Sequence, residues 1–380
     1  MRGRVKARLK FSGNQIVRIT FVTPSLACGG AERCVTLLAC GLLDRAHDVS
    51  VITLYGKDHD FFKLHTGVNR LALGIEGDSA TVIHGFANNL RRLRILREAI
   101  KSTRPDVIVS HIHSTNVMAI LAAGRVPIMV VEHNDPGMKS AGRIWDTLRR
   151  RTYPRARKLV SVSQGVNDQF SWLPQKQRIV IHNPVEVMDH RVSEQSAGDS
   201  AQRHWIAAMG RLTVQKGFDL LLSAFAKIAR QHPDWGLMII GAGELRGELE
   251  ELTSRLSLSS QVTFAGLLAD PGPALRSSKL FVMASRYEGF PYAALEALAS
   301  GLPVIYTDCP SGPREIIRDG VDGLLVPNGD VMALAEAMDR LMSDSGERER
   351  MATRAPEVLE RFSSERVLVQ WEELLRNARS

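Results

Sequence analysis

The chain has 380 residues, a net charge of +8 at neutral pH, and 44% hydrophobic against 24% charged residues. This composition is typical of a folded globular protein and excludes a disordered chain. The length indicates two domains of roughly 150–200 residues each. No stretch approaches the ~20 consecutive apolar residues that span a bilayer, and no signal-peptide core follows the basic residues 1–10. We therefore expect a cytoplasmic protein with an anionic partner.

Short β-rich runs alternate with amphipathic stretches along the first half of the chain. The strand candidates are Ile16–Thr23, Asp48–Leu54, Val107–Ser110, Ile128–Glu132 and Leu159–Ser163. Helical patterns lie between them, including Ala31–Leu43 and Leu90–Ser102. Most of the strands lack polar alternation, which indicates a parallel sheet that is buried on both faces.

The second half of the chain repeats this alternation. Its strand candidates are Trp205–Met209, Leu237–Ile240, Gln261–Ala265, Leu280–Ala284, Pro303–Tyr306 and Gly323–Val326. One apolar helix face between the first two strands comprises Phe218, Leu221, Leu222, Phe225 and Ile228. The pattern predicts a second parallel sheet wrapped by helices, and hence two α/β domains.

A break in composition separates the two halves at residues 189–203, where Ser, Gln, Gly and Asp replace the apolar runs. This segment is the predicted linker between a first domain at 16–188 and a second at 204–360. A basic extension occupies 1–15, and a C-terminal helix within 361–380 is expected to pack back across the first domain. Doubly wound domains bind ligands at the carboxyl ends of their strands, so the cleft between the domains is the predicted site.

The strongest local signal is a segment that runs from Glu288 to Glu296. Pro291 predicts a helix start, which places Glu288 in the preceding loop and Glu296 inside the helix. The backbone N–H groups of Tyr292 and Ala293 would point out of the helix N-terminus, where phosphate binds. The two carboxylates suit sugar and ribose hydroxyls. The alternative is that Glu296 only complements the helix dipole and Glu288 is a solvated loop acid.

Basic and glycine-rich turns follow the first strand of each domain. In the second domain, Arg211 offers a bidentate guanidinium and Lys216 a point charge, which together suit a diphosphate. An exposed basic loop is the alternative. In the first domain, Gly29 and Gly30 would let the backbone approach a ligand, a weaker signal because many strand-to-helix turns carry glycine.

Other patterns give little support for a metal or a dinucleotide. Gly241 and Gly243 lie between a strand and a helix, but Arg246 stands where a dinucleotide fingerprint has its third glycine. His111 and His113 alternate beyond a strand without a carboxylate in a ligand-like pattern. The four cysteines show neither metal-ligand spacing nor a disulfide framework. We expect no metal and no cofactor.

Together these segments resemble family 4 of the retaining glycosyltransferases, which have the GT-B fold of two Rossmann-like domains facing across a cleft. The resemblance covers nearly the whole chain. It rests on Gly29-Gly30-Ala31-Glu32-Arg33, His182-Asn183-Pro184, the basic turn at 210–217, the paired Glu288 and Glu296, and Cys309-Pro-Ser-Gly-Pro-Arg314-Glu315. The first and last of these segments look most like bacterial enzymes that extend lipopolysaccharide cores, capsules or lipid-linked oligosaccharides.

The resemblance implies how this chain would hold a nucleotide-sugar donor. Arg211 and Lys216 would hold the diphosphate, with no metal, and Glu296 the ribose hydroxyls. Gly30 would let the first domain approach the phosphates, and main-chain groups around Gly266 would bracket the base.

The resemblance also implies the catalytic residues and the reaction. Glu288 and His133 would contact the transferring sugar, although His133 could instead be satisfied by a neighbouring loop. The expected reaction is transfer of an N-acetylhexosamine or hexose from a UDP-sugar to a lipid-linked or polysaccharide acceptor, with retention by front-face attack. The alternatives are a sugar-nucleotide epimerase of the same architecture and a non-catalytic glycan-binding subunit.

Basic residues concentrate in the first half of the chain. The predicted membrane-facing or acceptor-facing cations are Arg91, Arg92, Arg94, Arg149, Arg150 and Arg151. Trp145 and Tyr153 lie close in sequence to the second group, and cations interleaved with aromatic residues suit an anionic membrane interface. A solvated basic face is the alternative. No nucleic-acid motif accompanies the charge, so nucleic acid is not an expected partner.

Overall fold

The computed structural model describes residues 16–75, 82–138, 142–186 and 203–378. The predicted extension at 1–15 lies outside the described residues, as does the predicted linker apart from Arg203. Within the described ranges, none of the helices combines the length and apolar character that crossing a bilayer requires.

The first domain is built on a seven-stranded sheet. Its strands are β1 (Arg18–Thr23), β2 (Asp48–Thr53), β3 (Asn69–Ala72), β4 (Val107–His111), β5 (Ile128–Glu132), β6 (Lys158–Ser161) and β7 (Arg178–Val180). Its helices are α1 (Gly30–Asp44), α2 (Val82–Thr103), α3 (His113–Ala122), α4 (Arg143–Thr152) and α5 (Gln164–Asp168). The strands are all parallel, in the order β3-β2-β1-β4-β5-β6-β7.

Burial explains which strands could be predicted. The central strands β4 and β5 are buried at every position, because helices cover both faces of a parallel sheet. The two edge strands, β3 and β7, were not predicted; they are short and only half-buried, and each contains only two apolar residues.

The second domain repeats the plan with six strands. These are β8 (His204–Met209), β9 (Trp235–Ile240), β10 (Val262–Gly266), β11 (Leu280–Met283), β12 (Val304–Asp308) and β13 (Gly323–Pro327). Its helices are α6 (Phe218–Ile228), α7 (Arg246–Arg255), α8 (Gly272–Ser277), α9 (Tyr292–Ala299), α10 (Pro313–Ile316), α11 (Val331–Ser343), α12 (Ser345–Arg354) and α13 (Val358–Phe362). The sheet is parallel, in the order β10-β9-β8-β11-β12-β13. Each of the six predicted strands is present.

The last helix, α14 (Ser364–Ala378), returns to the first domain and packs against α1, as expected. The buried carboxylate of Glu372 fixes it there, with Oε2 2.6 Å from Arg45 Nη1 and Oε1 3.1 Å from His47 Nε2. Leu368 packs so closely on Gly41 that a Cβ at position 41 would lie 2.4 Å from a Leu368 methyl group. The fold is therefore two Rossmann-like domains with a C-terminal helix that crosses back to the first.

The strand order decides where a ligand can bind. In each sheet the order reverses beside the first strand, between β1 and β4 and between β8 and β11. Loops that leave these strands diverge to opposite faces of the sheet and open a crevice at its carboxyl edge. The glycine turn after β1, the basic turn after β8 and the acidic segment after β11 all lie at these two crevices.

Candidate active site

The acidic segment and the basic turn of the second domain meet through Glu288 and Lys216. Glu288 Oε1 accepts hydrogen bonds from Lys216 Nζ at 2.7 Å, Ser285 Oγ at 2.7 Å and Tyr306 OH at 2.8 Å. Glu288 is only 5% exposed, and a buried carboxylate needs this number of donors to replace its hydration. The structure thus brings together two residues that were predicted to lie in one site.

Gly217 sets the position of Lys216. It lies in the left-handed region, with φ of 64°, between the short turn that ends at Lys216 and the start of α6. A Cβ at position 217 would lie 1.9 Å from the carbonyl oxygen of Ala284, the residue after β11. Only glycine lets the basic turn pack this closely on the end of β11.

Glu296 lies in the second turn of α9 and is 5% exposed. Its Oε1 lies 2.7 Å from Nε of Arg33, which α1 of the first domain contributes. Burial raises the pKa of Glu296 to about 7, while the Arg33 charge opposes that shift. Arg33 belongs to the glycine-rich motif at 29–33, but the sequence pattern predicted no role for it.

The N-terminus of α9 faces the glycine turn of the first domain. The helix begins at Tyr292, with Pro291 in extended conformation as its N-cap, one residue later than predicted. A Cβ at Gly30 would lie 3.2 Å from Tyr292 Cβ, so the glycine allows close approach across the cleft. Tyr292 is buried and its hydroxyl donates to the carbonyl of Pro184, whereas Ala293 is half-buried.

Arg211 and Gly266 lie at the carboxyl edge of the second sheet. Arg211 follows β8 and is exposed, and its positive charge acts on Glu32 in the first turn of α1. Burial raises the pKa of Glu32, while its own backbone N–H and the Arg211 charge oppose that shift. Gly266 ends β10 with φ of 71°, and the Arg246 guanidinium lies 3.8 Å from where its Cβ would stand.

His133 lies after β5 at the cleft and pairs with His111, which ends β4. His133 Nε2 lies 2.8 Å from His111 Nδ1, and both side chains are buried. Burial lowers the pKa of His133 to about 4, so the ring is neutral at physiological pH. His133 Nδ1 is buried and makes no hydrogen bond with any described residue. Within the described ranges, no group of three or more His, Cys, Asp and Glu side chains has a metal-site geometry.

Sequence reasoning missed the contacts that hold the two domains together. Glu315 accepts hydrogen bonds from the backbone N–H groups of Gln164, at 2.8 Å, and Gly165, at 3.3 Å, and lies 3.0 Å from His182 Nε2. Burial raises the pKa of Glu315, but the donors, His182 foremost, outweigh it and lower the pKa. A carboxylate of the second domain therefore caps a helix of the first. Glu315 ends the motif at 309–315, but its partners are more than 100 residues away in the chain, so no neighbouring residue indicated them.

The structure does not place Arg149 on the predicted basic surface. Its side chain is 14% exposed, pairs with Asp146 at 2.8 Å and lies over the ring of Phe170. Its charge faces buried Glu132, whose pKa burial raises to about 7. Because side chains three or four residues apart share one face of α4, Arg149 turns inward while its neighbours Arg150 and Arg151 are exposed. Arg91 and Arg94 on α2 are exposed too, and Arg92 is half-buried.

Closure of the cleft depends on Gly289, since a Cβ there would lie 1.8 Å from the carbonyl oxygen of His133. We expect Gly289→Ala to leave each domain folded but to hold the domains apart, which small-angle X-ray scattering would detect as a larger radius of gyration. Gly247→Ala is the control, because nothing lies within 4 Å of that Cβ. An unchanged radius in Gly289→Ala would contradict the closed contact.

Comparison with known proteins agrees with this architecture. The family model for Glycosyltransferase Family 4 matches residues 28–188, and that for Glycosyl transferases group 1 matches residues 192–358. Among solved structures, the Anabaena protein Alr3699/HepE in complex with UDP and glucose superimposes with a TM-score of 0.77. It is 21% identical and covers 95% of this chain and 100% of its own. Sucrose-phosphate synthase from Thermosynechococcus elongatus gives a TM-score of 0.82 at 18% identity, over 94% of this chain and 98% of its own.

Two relatives match over nearly their whole lengths. The lipopolysaccharide core biosynthesis glycosyltransferase LpsE of Rhizobium meliloti is 30% identical over 91% of this chain and 96% of its own. An N-acetylgalactosaminyltransferase of Campylobacter jejuni, named for an undecaprenol diphosphate-linked substrate, is 26% identical over 95% of this chain and 98% of its own. On these matches and its GT-B fold, the chain belongs to the family 4 glycosyltransferases.

Proposed function

We propose that this protein is a retaining, metal-independent glycosyltransferase that moves a sugar from a UDP-sugar to a lipid-linked or polysaccharide acceptor in bacterial cell-surface glycan synthesis. The observation that carries the proposal is the cluster at the switch point of the second sheet. There Lys216, Glu288 and Glu296 lie around the ends of β8 and β11 and the start of α9, facing His133 and Gly30 of the first domain.

The chemical demand of the proposed reaction matches this cluster. The bond between the anomeric carbon and the β-phosphate oxygen breaks, and its electron pair goes to the diphosphate. The acceptor oxygen bonds to the anomeric carbon on the same face, and its proton passes to the leaving diphosphate. Charge therefore develops on the diphosphate, where Arg211, Lys216 and the N-terminus of α9 supply positive potential without a metal.

The remaining roles follow from position. Glu296, inside α9, is proposed to accept hydrogen bonds from the ribose hydroxyls, and main-chain groups around Gly266 to bracket the base. Glu288 is proposed to lie beside the transferring sugar and to hold Lys216 in place through their 2.7 Å contact. His133, which is neutral and whose Nδ1 has no hydrogen-bond partner among the described residues, is proposed to contact a sugar hydroxyl.

The relatives support the choice of donor and acceptor. The Anabaena structure contains UDP, and the Campylobacter relative is named for an α-linkage and an undecaprenol diphosphate substrate. A lipid-linked acceptor lies at a membrane, so we propose peripheral attachment to the inner face of the cytoplasmic membrane. Exposed Arg91, Arg94, Arg150 and Arg151 support that attachment. A cavity of about 520 Å³ at the C-terminal end of α2 has four cations in its lining, namely Arg97, Lys101, Arg104 and Arg125.

A transfer assay tests the reaction. Purified protein is incubated with a panel of radiolabelled nucleotide sugars and bacterial undecaprenol-linked oligosaccharides in the presence of a chelator. We expect labelled lipid product from a UDP-sugar at the same rate with and without chelator, because cations of the chain replace the metal. Turnover that the chelator abolishes and magnesium or manganese restores would contradict metal independence.

Substitution of the two glutamates separates their roles. Glu296→Gln removes ribose binding that is present both before and during reaction, so it should weaken UDP binding and raise the donor KM. Glu288→Gln keeps an oxygen that can accept from Lys216 but removes charge beside the reacting sugar. It should therefore slow turnover by roughly a hundredfold, about 3 kcal/mol, with UDP affinity nearly unchanged. Calorimetry with UDP and steady-state kinetics measure both effects. If Glu288→Gln loses UDP binding while Glu296→Gln keeps it, the roles of the two glutamates are the reverse of those proposed. Full activity in both variants would refute the site.

Vesicle binding tests the membrane proposal. Each exposed cation near an anionic surface contributes roughly 1 kcal/mol, and salt screens that attraction. We expect Arg91→Ser with Arg94→Ser to reduce binding to phosphatidylglycerol vesicles. Arg230→Ser with Arg255→Ser, an equal charge change at exposed sites in the second domain, should not. Equal binding to neutral phosphatidylcholine vesicles would contradict electrostatic attachment.

A further inference from the structure

Arg33 reaches across the cleft to the carboxylate that is proposed to hold the ribose. It lies in the first turn of α1, with its guanidinium 5.9 Å from the ring centroid of Phe62 and 5.7 Å from that of Tyr292. Its side chain is 24% exposed and that of Glu296 is 6% exposed. The two rings restrict the guanidinium to one direction, toward Glu296.

The contact between the two side chains is close but incomplete. Arg33 Nε and Glu296 Oε1 lie 2.7 Å apart, yet neither atom makes a hydrogen bond of proper geometry with any described residue. A buried donor and acceptor in this state cost free energy unless a partner satisfies them. The two side chains therefore meet as an ion pair whose charges compensate each other, without a well-aligned hydrogen bond at these two atoms.

The groups around Glu296 leave Arg33 as its main counter-charge. Burial is the largest influence on Glu296 and disfavours its ionised form, Arg33 is the next and favours it, and Asp270 disfavours it. Cys28, in the loop before α1, and Tyr292, on α9 itself, also face Glu296. Neither is a cation at neutral pH, and Glu186 acts on the Arg33 side of the pair.

We infer that Arg33 is a positioning residue for the donor site: it favours the ionised form of the Glu296 carboxylate and orients it to accept hydrogen bonds from the ribose hydroxyls. The inference rests on the proposed function, which assigns the ribose to Glu296. Arg33 belongs to the first domain, whereas Glu296 belongs to the second. The ribose subsite is thus complete only when the cleft is closed, and nucleotide binding favours closure.

The test compares two nucleotides that differ only in the ribose hydroxyls, UDP and 2′,3′-dideoxy-UDP. Calorimetry on the full chain between pH 6.5 and 9 measures their affinities for wild type, Arg33→Met, Arg33→Lys and Arg340→Met. Arg340 is exposed and pairs with the largely buried Glu347 inside the second domain, so Arg340→Met is the matched control: it also removes an arginine from a buried carboxylate. Thermal unfolding of each variant checks that it is folded.

The expected result has a definite sign. Without Arg33 the pKa of Glu296 rises above about 7, so more of the carboxyl is protonated at neutral pH. Arg33→Met should then bind UDP about tenfold more weakly at pH 7 and recover part of that affinity by pH 9. Its affinity for the dideoxy nucleotide should match that of wild type, and Arg33→Lys should restore part of the loss of UDP binding.

Four outcomes would overturn the inference. An equal loss for both nucleotides would mean that Arg33 holds the diphosphate or the fold, because neither role depends on the hydroxyls. Unchanged UDP binding in Arg33→Met would mean that Glu296 does not need Arg33 to bind the ribose. Tighter UDP binding would mean that Arg33 obstructs the Glu296 carboxylate. If wild type and Arg340→Met bind no UDP at any pH, the proposed function itself fails. In the first three outcomes the proposed function stands and only the role of Arg33 is lost.

Discussion

The candidate site depends on the burial of two carboxylates at the carboxyl edge of one sheet. Glu288 and Glu296 are each only 5% exposed, and a buried carboxylate without a counter-charge costs several kcal/mol. The chain compensates them differently. Lys216, with Ser285 and Tyr306, meets Glu288 within the second domain, whereas Arg33 meets Glu296 from the first. One half of the site is preformed, and the other is completed by closure of the cleft.

This arrangement links the architecture of the chain to the chemistry of sugar transfer. A nucleotide diphosphate sugar carries its charge at the diphosphate, hydroxyls on its ribose and an electrophilic carbon beyond the phosphates. The second domain presents cations and a helix N-terminus, which suit the diphosphate, and carboxylates, which suit the ribose hydroxyls. The first domain supplies the opposite face, with the glycine turn and His133, where we propose that the acceptor binds. Two contacts fix the domains relative to each other: Glu315 caps a helix of the first domain, and helix α14 packs on α1.

The parts that could be predicted from sequence are those with a local signature. The central strands carry continuous apolar runs because helices cover both faces, and the residues proposed to hold the donor lie in turns whose glycines and charges stand close in sequence. The edge strands β3 and β7 are short, and each contains only two apolar residues. The partners of Glu296 and Glu315 are far away in the chain, so only the docking of the two domains reveals them. Arg149 was placed on the wrong face because a cluster of three arginines does not indicate which of them turns inward.

The central claim is that cations of the chain hold the donor diphosphate. Calorimetric binding of UDP to Lys216→Met in the presence of a chelator tests it most directly, with Lys227→Met on α6 as a control of equal charge. The account predicts that wild type and Lys227→Met bind UDP alike, and that Lys216→Met, still folded by thermal unfolding, binds it at least tenfold more weakly. Equal affinity of all three proteins for UDP would contradict the account.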